Sequence, residues 1–247
     1  MARKVQIMFI LLLLVFVSCK KSEDRSCWKG HGDETFLEIP ITDSVLTWQM
    51  KKGIKYRIFQ DSSRKIVVRG GENMIKHISV THVGTEVTVE NKNRCNFLRD
   101  SDRKVEVEVH YPYYGKFYFE PTDSVIFEDT IQADTLKIQL AFGGGSARLN
   151  VNTKWLSAVV SRGTGDILVG GYSERAEVKI QDKGFADATK LSTLHLFAFS
   201  NSRANLRVNI QGTNATIRID GPGDIYGTGT PINLIEEING GGEFLRY

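Results

Sequence analysis

The sequence predicts an all-β chain wound as a parallel β-helix of about 20 residues per coil, with a β-rich N-terminal half. Three observations predict it. Small residues recur at Gly145, Gly165, Gly184, Ser202, Gly223 and Gly242, in steps of 20, 19, 18, 21 and 19. Between them lie short runs that alternate apolar and polar. In "ANLRVNI", Leu206, Val208 and Ile210 share one face while Asn205, Arg207 and Asn209 share the other. No segment of helical period links these runs, which excludes βαβ units.

Each element of that reading has a physical reason. Leu149, Val151, Ile167, Val169, Leu206, Val208, Ile217, Ile219 and Ile225 are the expected lumen residues. A single coil cannot offset the entropy of ordering its own backbone, so the coils hold only as a stack. The small residues then mark corners, where the chain needs positive φ or a close backbone approach. That reading competes with a phosphate cradle at "SRGTGDILVGG", around Gly163 and Gly165. A cradle needs a helix opening directly after its glycines, with backbone N–H groups aimed at the phosphate. "DILVGG" alternates like a strand, and no Gly-Lys-Ser/Thr follows.

Taken from the N-terminus, residues 1–18 read as a lipoprotein signal peptide. Arg3 and Lys4 precede an apolar run from Ile7 to Val17, too short to span a bilayer. Ser18-Cys19 ends it like a lipobox, making Cys19 the expected lipid anchor, bearing diacylglycerol and further acyl chains such as palmitate. Residues 19–33 form a charged tether. Cys27 and Cys95 remain, and two cysteines in an exported chain default to one disulfide, worth on the order of 4 kcal/mol for so long a loop.

Residues 34–120 carry longer alternating strands divided by turn signals, and suit either a separate cap or the first coils of the helix. The junction "HYPYYGKFYFEP" is dense in aromatics. Tyr113, Tyr114 and Tyr118 are the candidate residues for stacking on sugar rings, while the same row also suits core packing at a coil start. Residues 121–247 hold the repeats.

Composition narrows the function. The formal net charge of +3 falls to +1 once Arg3 and Lys4 leave with the signal, which argues against nucleic acid as a partner. His31, His77, His82, His110 and His195 are scattered without ligand spacing, so no metal and no cofactor is expected. The expected function is a non-enzymatic envelope lipoprotein of the outer membrane, periplasmic or surface-facing. Its partners are the membrane, through the lipid, and a glycan or envelope protein. Two alternatives stand beside it. One is a polysaccharide lyase or hydrolase, for which Asp224 and Glu243, on adjacent coils, form the only carboxylate pair near the spacing glycosidic chemistry needs; Asp166 lies three coils from Asp224. The other is a structural module that self-associates through an open helix end. Asp43, Asp123, Asp129 and Asp134 also open Asp-Ser/Thr-apolar triplets that resemble a short O-glycosylation signal.

Several stretches resemble the family described as putative auto-transporter adhesin, head GIN domain. They are "VVRGGENMIKHISV", "VTVENKNRCNFLRDSDRKVEVEV" with Cys95 and Arg99, the corners after Ala141, and the ending "GPGDIYGTGTPINLIEEINGGGEFLRY". The similarity runs from about Phe36 to Tyr247. It implies a right-handed, single-stranded β-helix and an exported lipoprotein. It supplies no catalytic residues. "GGGSARL" and "SNSRANL" depart from the usual Gly-x-Gly corner, which leaves the geometry of those two corners open.

Overall fold

The computed structural model describes residues 30–93 and 104–247. The chain is a β-solenoid of about seven turns, each of about 20 residues. In chain order, the first strands are β1 (Glu34–Pro40), β2 (Thr47–Met50), β3 (Lys55–Phe59) and β4 (Lys65–Gly71). A single helical turn, α1 (Glu72–Ile75), leads to β5 (Ile78–Val83), β6 (Glu86–Asn91), β7 (Glu106–His110) and β8 (Lys116–Phe119). Four long strands follow: β9 (Val125–Ala141), β10 (Ser146–Ser161), β11 (Asp166–Asp182) and β12 (Phe185–Ser202). The last coils break into β13 (Leu206–Asn209), β14 (Asn214–Ile219), β15 (Ile225–Thr228), β16 (Asn233–Ile238) and β17 (Phe244–Arg246).

Each long strand wraps three sides. Its opening residues belong to a first face, which β13, β15 and β17 continue in parallel. Its closing residues belong to a second face, continued by β14 and β16. A short side joins the two, at Asn150–Thr153 of β10 paired with Gly170–Ser173 of β11. All nine expected lumen residues are buried. Gly165 is followed by β11, a 17-residue strand, so the strand reading of "DILVGG" holds.

The corner glycines are there for proximity. None of Gly145, Gly165, Gly184, Gly223 and Gly242 has positive φ. A Cβ on Gly145 would stand 2.2 Å from the carbonyl oxygen of Asp123, and one on Gly223 2.3 Å from that of Ala204. The left-handed positions sit just before three of these glycines and are not glycine at all: Phe142 (φ 56), Arg162 (φ 53) and Asp182 (φ 61), one per coil. Of the two reasons the sequence offers for small corners, the close backbone approach holds at these anchors and the positive φ falls on their neighbours. At the fourth corner Ser202 replaces glycine. Its hydroxyl donates to the Gly184 carbonyl at 2.9 Å and accepts from the Ala204 N–H at 3.0 Å, so a hydrogen-bonded serine does the bending there.

The N-terminal half supplies both coils and cover. On the second face β2 lies parallel between β6 and β8, and on the first face β3 lies parallel between β7 and β9. Three antiparallel strands then cover the end: β4 on β7, β1 on β4, and β5 on β6. This order forces one crossing. The chain leaves β7, passes the β2–β3 coil, and re-enters as β8 on its far side. Tyr111–Gly115 makes that passage, and the buried rings of Tyr111 and Tyr114 pack into the lumen beneath. Trp48 is fully buried, with the rings of Tyr111, Tyr114 and Phe117 at 5.4, 5.9 and 6.2 Å.

A polar cluster fastens β4 to the stack. Arg69 donates to both carboxylate oxygens of Glu108, at 3.0 and 3.1 Å, and Arg57 lies 3.5 Å from the same group. Burial by itself would raise the Glu108 carboxyl. The Arg69 hydrogen bonds and the charges of Arg69 and Arg57 outweigh it and hold the group below its ordinary range. A carboxylate depressed in the folded state stabilises above its unfolded pKa, and that contribution is lost as pH falls through the folded value. Glu108→Gln is therefore expected to lose about 1–2 kcal/mol at neutral pH. Thermal melts across the acid limb should show a shallower fall below the ordinary carboxylate range than the parent shows.

Ser200 is the converse case. It points into the lumen between Ile180 and Ile219 in register, is fully buried, and its hydroxyl has no hydrogen-bond partner among the described residues. Ser200→Ala should stabilise by about 1 kcal/mol, read as a melting point about 2–4 °C higher.

Candidate functional site

On the second face, residues one coil apart stand side by side. One outward column reads Trp155, Arg175, His195, Asn214, Asn233, and the next reads Ser157, Glu177, Phe197, Thr216, Ile235. All of these but the buried Ser157 line a hollow of about 530 Å³ that runs along the solenoid axis over five coils.

An internal ladder fixes the edge from which the first column projects. Thr153, Ser173, Thr193 and Thr213 recur one per coil at the bend from the short side into the second face, and all four are buried. Thr153 donates to the Ser173 hydroxyl at 2.9 Å, Ser173 to the Arg175 carbonyl at 2.8 Å, and Thr193 to the His195 carbonyl at 3.0 Å. At Ser173 and Thr193, hydroxyls in place of aliphatics thus satisfy carbonyls that a sharp bend would leave buried and unpaired, whereas the Thr213 hydroxyl has no partner among the described residues. They hold the Arg175 and His195 backbone from within.

The lining joins one aromatic wall to a row of polar heads. Lys137 lies over the Trp155 ring, 4.6 Å from its centroid, and braces the indole while its remaining surface faces the hollow. Arg175 makes no ion pair among the described residues, which leaves its planar fork of donors free. Asn233 donates to the Asn214 side-chain oxygen at 2.6 Å, tying the far end together. Glu177 is the one carboxylate in the lining. It accepts from the Ser157 hydroxyl at 2.9 Å and pairs with Lys179. Such a surface can stack an apolar ring face and exchange hydrogen bonds with hydroxyls; it places no second carboxylate opposite the first.

The site residues expected from the sequence fall elsewhere. Tyr113 is 71% exposed, on the crossing. Tyr118 points outward from β8, half-buried, with the Lys51 ammonium 5.6 Å from its ring centroid. Tyr114 is a correction: it is buried, and its hydroxyl lies 2.6 Å from the Phe59 carbonyl and 3.1 Å from that of Val109, so it cannot meet a ligand. None of the three lines the hollow. Asp224, one of the two candidate carboxylates, accepts the Glu243 N–H at 2.9 Å, while its own N–H donates to Asn205 at 3.2 Å. That corner acid serves turn amides. Burial raises the Asp166 carboxyl. Among the described residues no three metal-ligating side chains converge. Of the Asp-Ser/Thr triplets, Ser44, Thr130 and Thr135 are exposed and Ser124 is half-buried. Cys19, Cys27 and Cys95 lie outside the described residues, so the expected disulfide gains no support.

The comparisons with known proteins agree with this architecture. A putative adhesin from Bacteroides fragilis superposes with a TM-score of 0.77 at 16% identity, over 87% of this chain and 97% of that one. A putative lipid binding protein from Parabacteroides distasonis gives 0.66 at 17%, over 88% and 98%. A putative adhesin from Parabacteroides merdae gives 0.62 at 19%, over 88% and 98%. At these identities the likeness is one of fold. No curated protein matches the chain. The family model described as "putative auto-transporter adhesin, head GIN domain" matches residues 49–231, and the chain belongs to that family.

Proposed function

We propose that the protein is a non-catalytic binding module of the cell envelope, and that its ligand is a glycan chain lying along the second face. The observation that carries this is the hollow from Trp155 to Asn233. It sets an aromatic wall, an unpaired guanidinium, an imidazole and two amides in file, one per coil. Coils repeat every 4.7–4.9 Å or so, about the length of one pyranose ring. A linear polysaccharide can therefore present one ring to each polar head. Family membership supports the adhesin-like part of the reading. The Ser18-Cys19 signal supports a lipid anchor and an exported, membrane-held protein. No helix among the described residues is long and apolar enough to cross a membrane.

A panel of linear polysaccharides titrated against the chain lacking residues 1–19, followed by tryptophan fluorescence, tests the reading. Saturable change with at least one polymer is the expected result. A flat response across neutral and acidic polymers alike would count against it.

A second reading, end-to-end association of two copies, rests on β16 and β17. Among the described residues each pairs on one side only, and Ile232, Ile235, Ile238, Leu245 and Tyr247 are exposed around them. Sedimentation mass that rises with concentration, and falls back in Ile238→Lys, is its expected signature.

A further inference from the structure

A second hollow, of about 360 Å³, lies at the opposite bend, where the first face turns into the short side. The bend arises from breaks in strand register, between Arg148 and Asn150 of β10 against β9 and between Leu168 and Gly170 of β11 against β12. Such irregularities re-aim the side chains next to them. Gly170 forms the floor. A Cβ there would stand 2.5 Å from the Asn150 side-chain oxygen and 3.3 Å from the Lys190 Cβ, so the absence of a side chain is what opens the space.

Charge then distinguishes this hollow from an ordinary crease. Arg148 and Lys190 line it, both exposed, and neither makes an ion pair among the described residues. They flank the glycine floor from the coils on either side of it. Arg207, opposite Asp187 in the next coil, adds a third cation nearby. Asp187 is the only acid in the lining. One of its oxygens accepts from both the N–H and the hydroxyl of Thr189, at 3.0 and 2.6 Å. That turn fixes the backbone just ahead of Lys190. The second oxygen of Asp187 and the amide of Asn150 remain to meet hydroxyl groups.

The geometry points to a binding site for an acidic sugar residue in this hollow. Its carboxylate or sulfate lies between Arg148 and Lys190, and its hydroxyls donate to Asp187 and Asn150. Two cations without partners favour an oxyanion, and the acid beside them favours an oxyanion that carries hydroxyls over a bare one. The sugar part deepens the glycan reading above and rests on it; the anion part stands on these side chains alone.

Calorimetry or amide-shift NMR with glucuronic acid, glucose 6-sulfate, glucose and inorganic phosphate tests it on the chain lacking residues 1–19. Both acidic sugars should bind saturably, at least tenfold tighter than glucose and tighter than phosphate. The Arg148→Ala/Lys190→Ala double variant should weaken them at least tenfold, and Arg148→Gln/Lys190→Met should do the same with side-chain bulk kept. Lys52→Ala, an exposed lysine that lines neither hollow, should leave them unchanged. Phosphate binding as tightly as the acidic sugars would overturn the sugar assignment. Loss of binding in Arg175→Ala, which lines the other hollow, but not in the double variants would place the anion there and overturn the site. Absence of saturable binding by any of the three anions would overturn it as well. Failure of the polymer titration above, with the acidic monosaccharides still bound here, would remove the second-face reading and leave this site standing.

Discussion

Gly145→Ala is expected to destabilise the protein by about 3 kcal/mol or more, a loss of roughly 10 °C in melting temperature. The added Cβ would stand 2.2 Å from the Asp123 carbonyl oxygen and 2.8 Å from its nitrogen. Those are backbone atoms of the preceding coil, and they cannot rotate away. Gly145 also donates to the Pro121 carbonyl at 2.9 Å and accepts from the Asp166 N–H at 3.2 Å, so moving it strains the coils on both sides. The corner sits in mid-stack, where neither neighbour is free to splay. Gly241→Ala is the control: a Cβ there meets nothing within 4 Å, and its effect should stay within about 0.5 kcal/mol. Equal melting points for the two variants would mean that the corners tolerate a side chain and that the close-approach account of the repeat is wrong.

Trp155→Ala is expected to weaken the polysaccharide found by titration at least tenfold, with little change in stability. The indole is 36% exposed and lies outside the lumen, so its removal leaves the core intact. What goes is the stacking surface, and with it the seat of Lys137, which is left without a ring to cover. Phe197→Ala makes a useful partner. Its ring stacks on Phe199 at 6.5 Å and lies under Lys179 at 5.4 Å, in the neighbouring column of the same hollow. A ligand that spans both columns should be weakened by either change, and a ligand held at the Trp155 edge by the first alone.

Much of the fold was legible because the coil imposes one period on everything it contains. The same step that spaces Gly145 and Gly165 spaces the lumen residues Leu149 and Val169, and alternation tells inward from outward. What the period could not reveal is why each corner is small. A glycine needed for room and a glycine needed for positive φ look identical in a sequence. Only the coordinates separate Gly145 from its left-handed neighbour, three residues earlier, Phe142. The order of the N-terminal strands was also hidden. β2 pairs with β6 and β8, both far along the chain, and nothing local in "TWQM" encodes that choice. The aromatic junction did leave a trace of the crossing, although Tyr114 turned inward to the packing rather than outward to a ligand. The second-face hollow carried a signal that went unread. Thr153, Ser173, Thr193 and Thr213 repeat with the coil, as do Trp155, Arg175 and His195. Isolated outward polar residues resemble any solvated face until the coil closes and sets them in file.

The most direct measurement of the central claim is a crystal structure of the chain with a bound oligosaccharide cut from whichever polymer the titration selects. The account predicts sugar rings laid along the solenoid axis, one against Trp155 and the next ones beside Arg175 and His195, each advanced by a single coil. Rings found across the strands, or at an end of the stack with the Trp155 column bare, would contradict it.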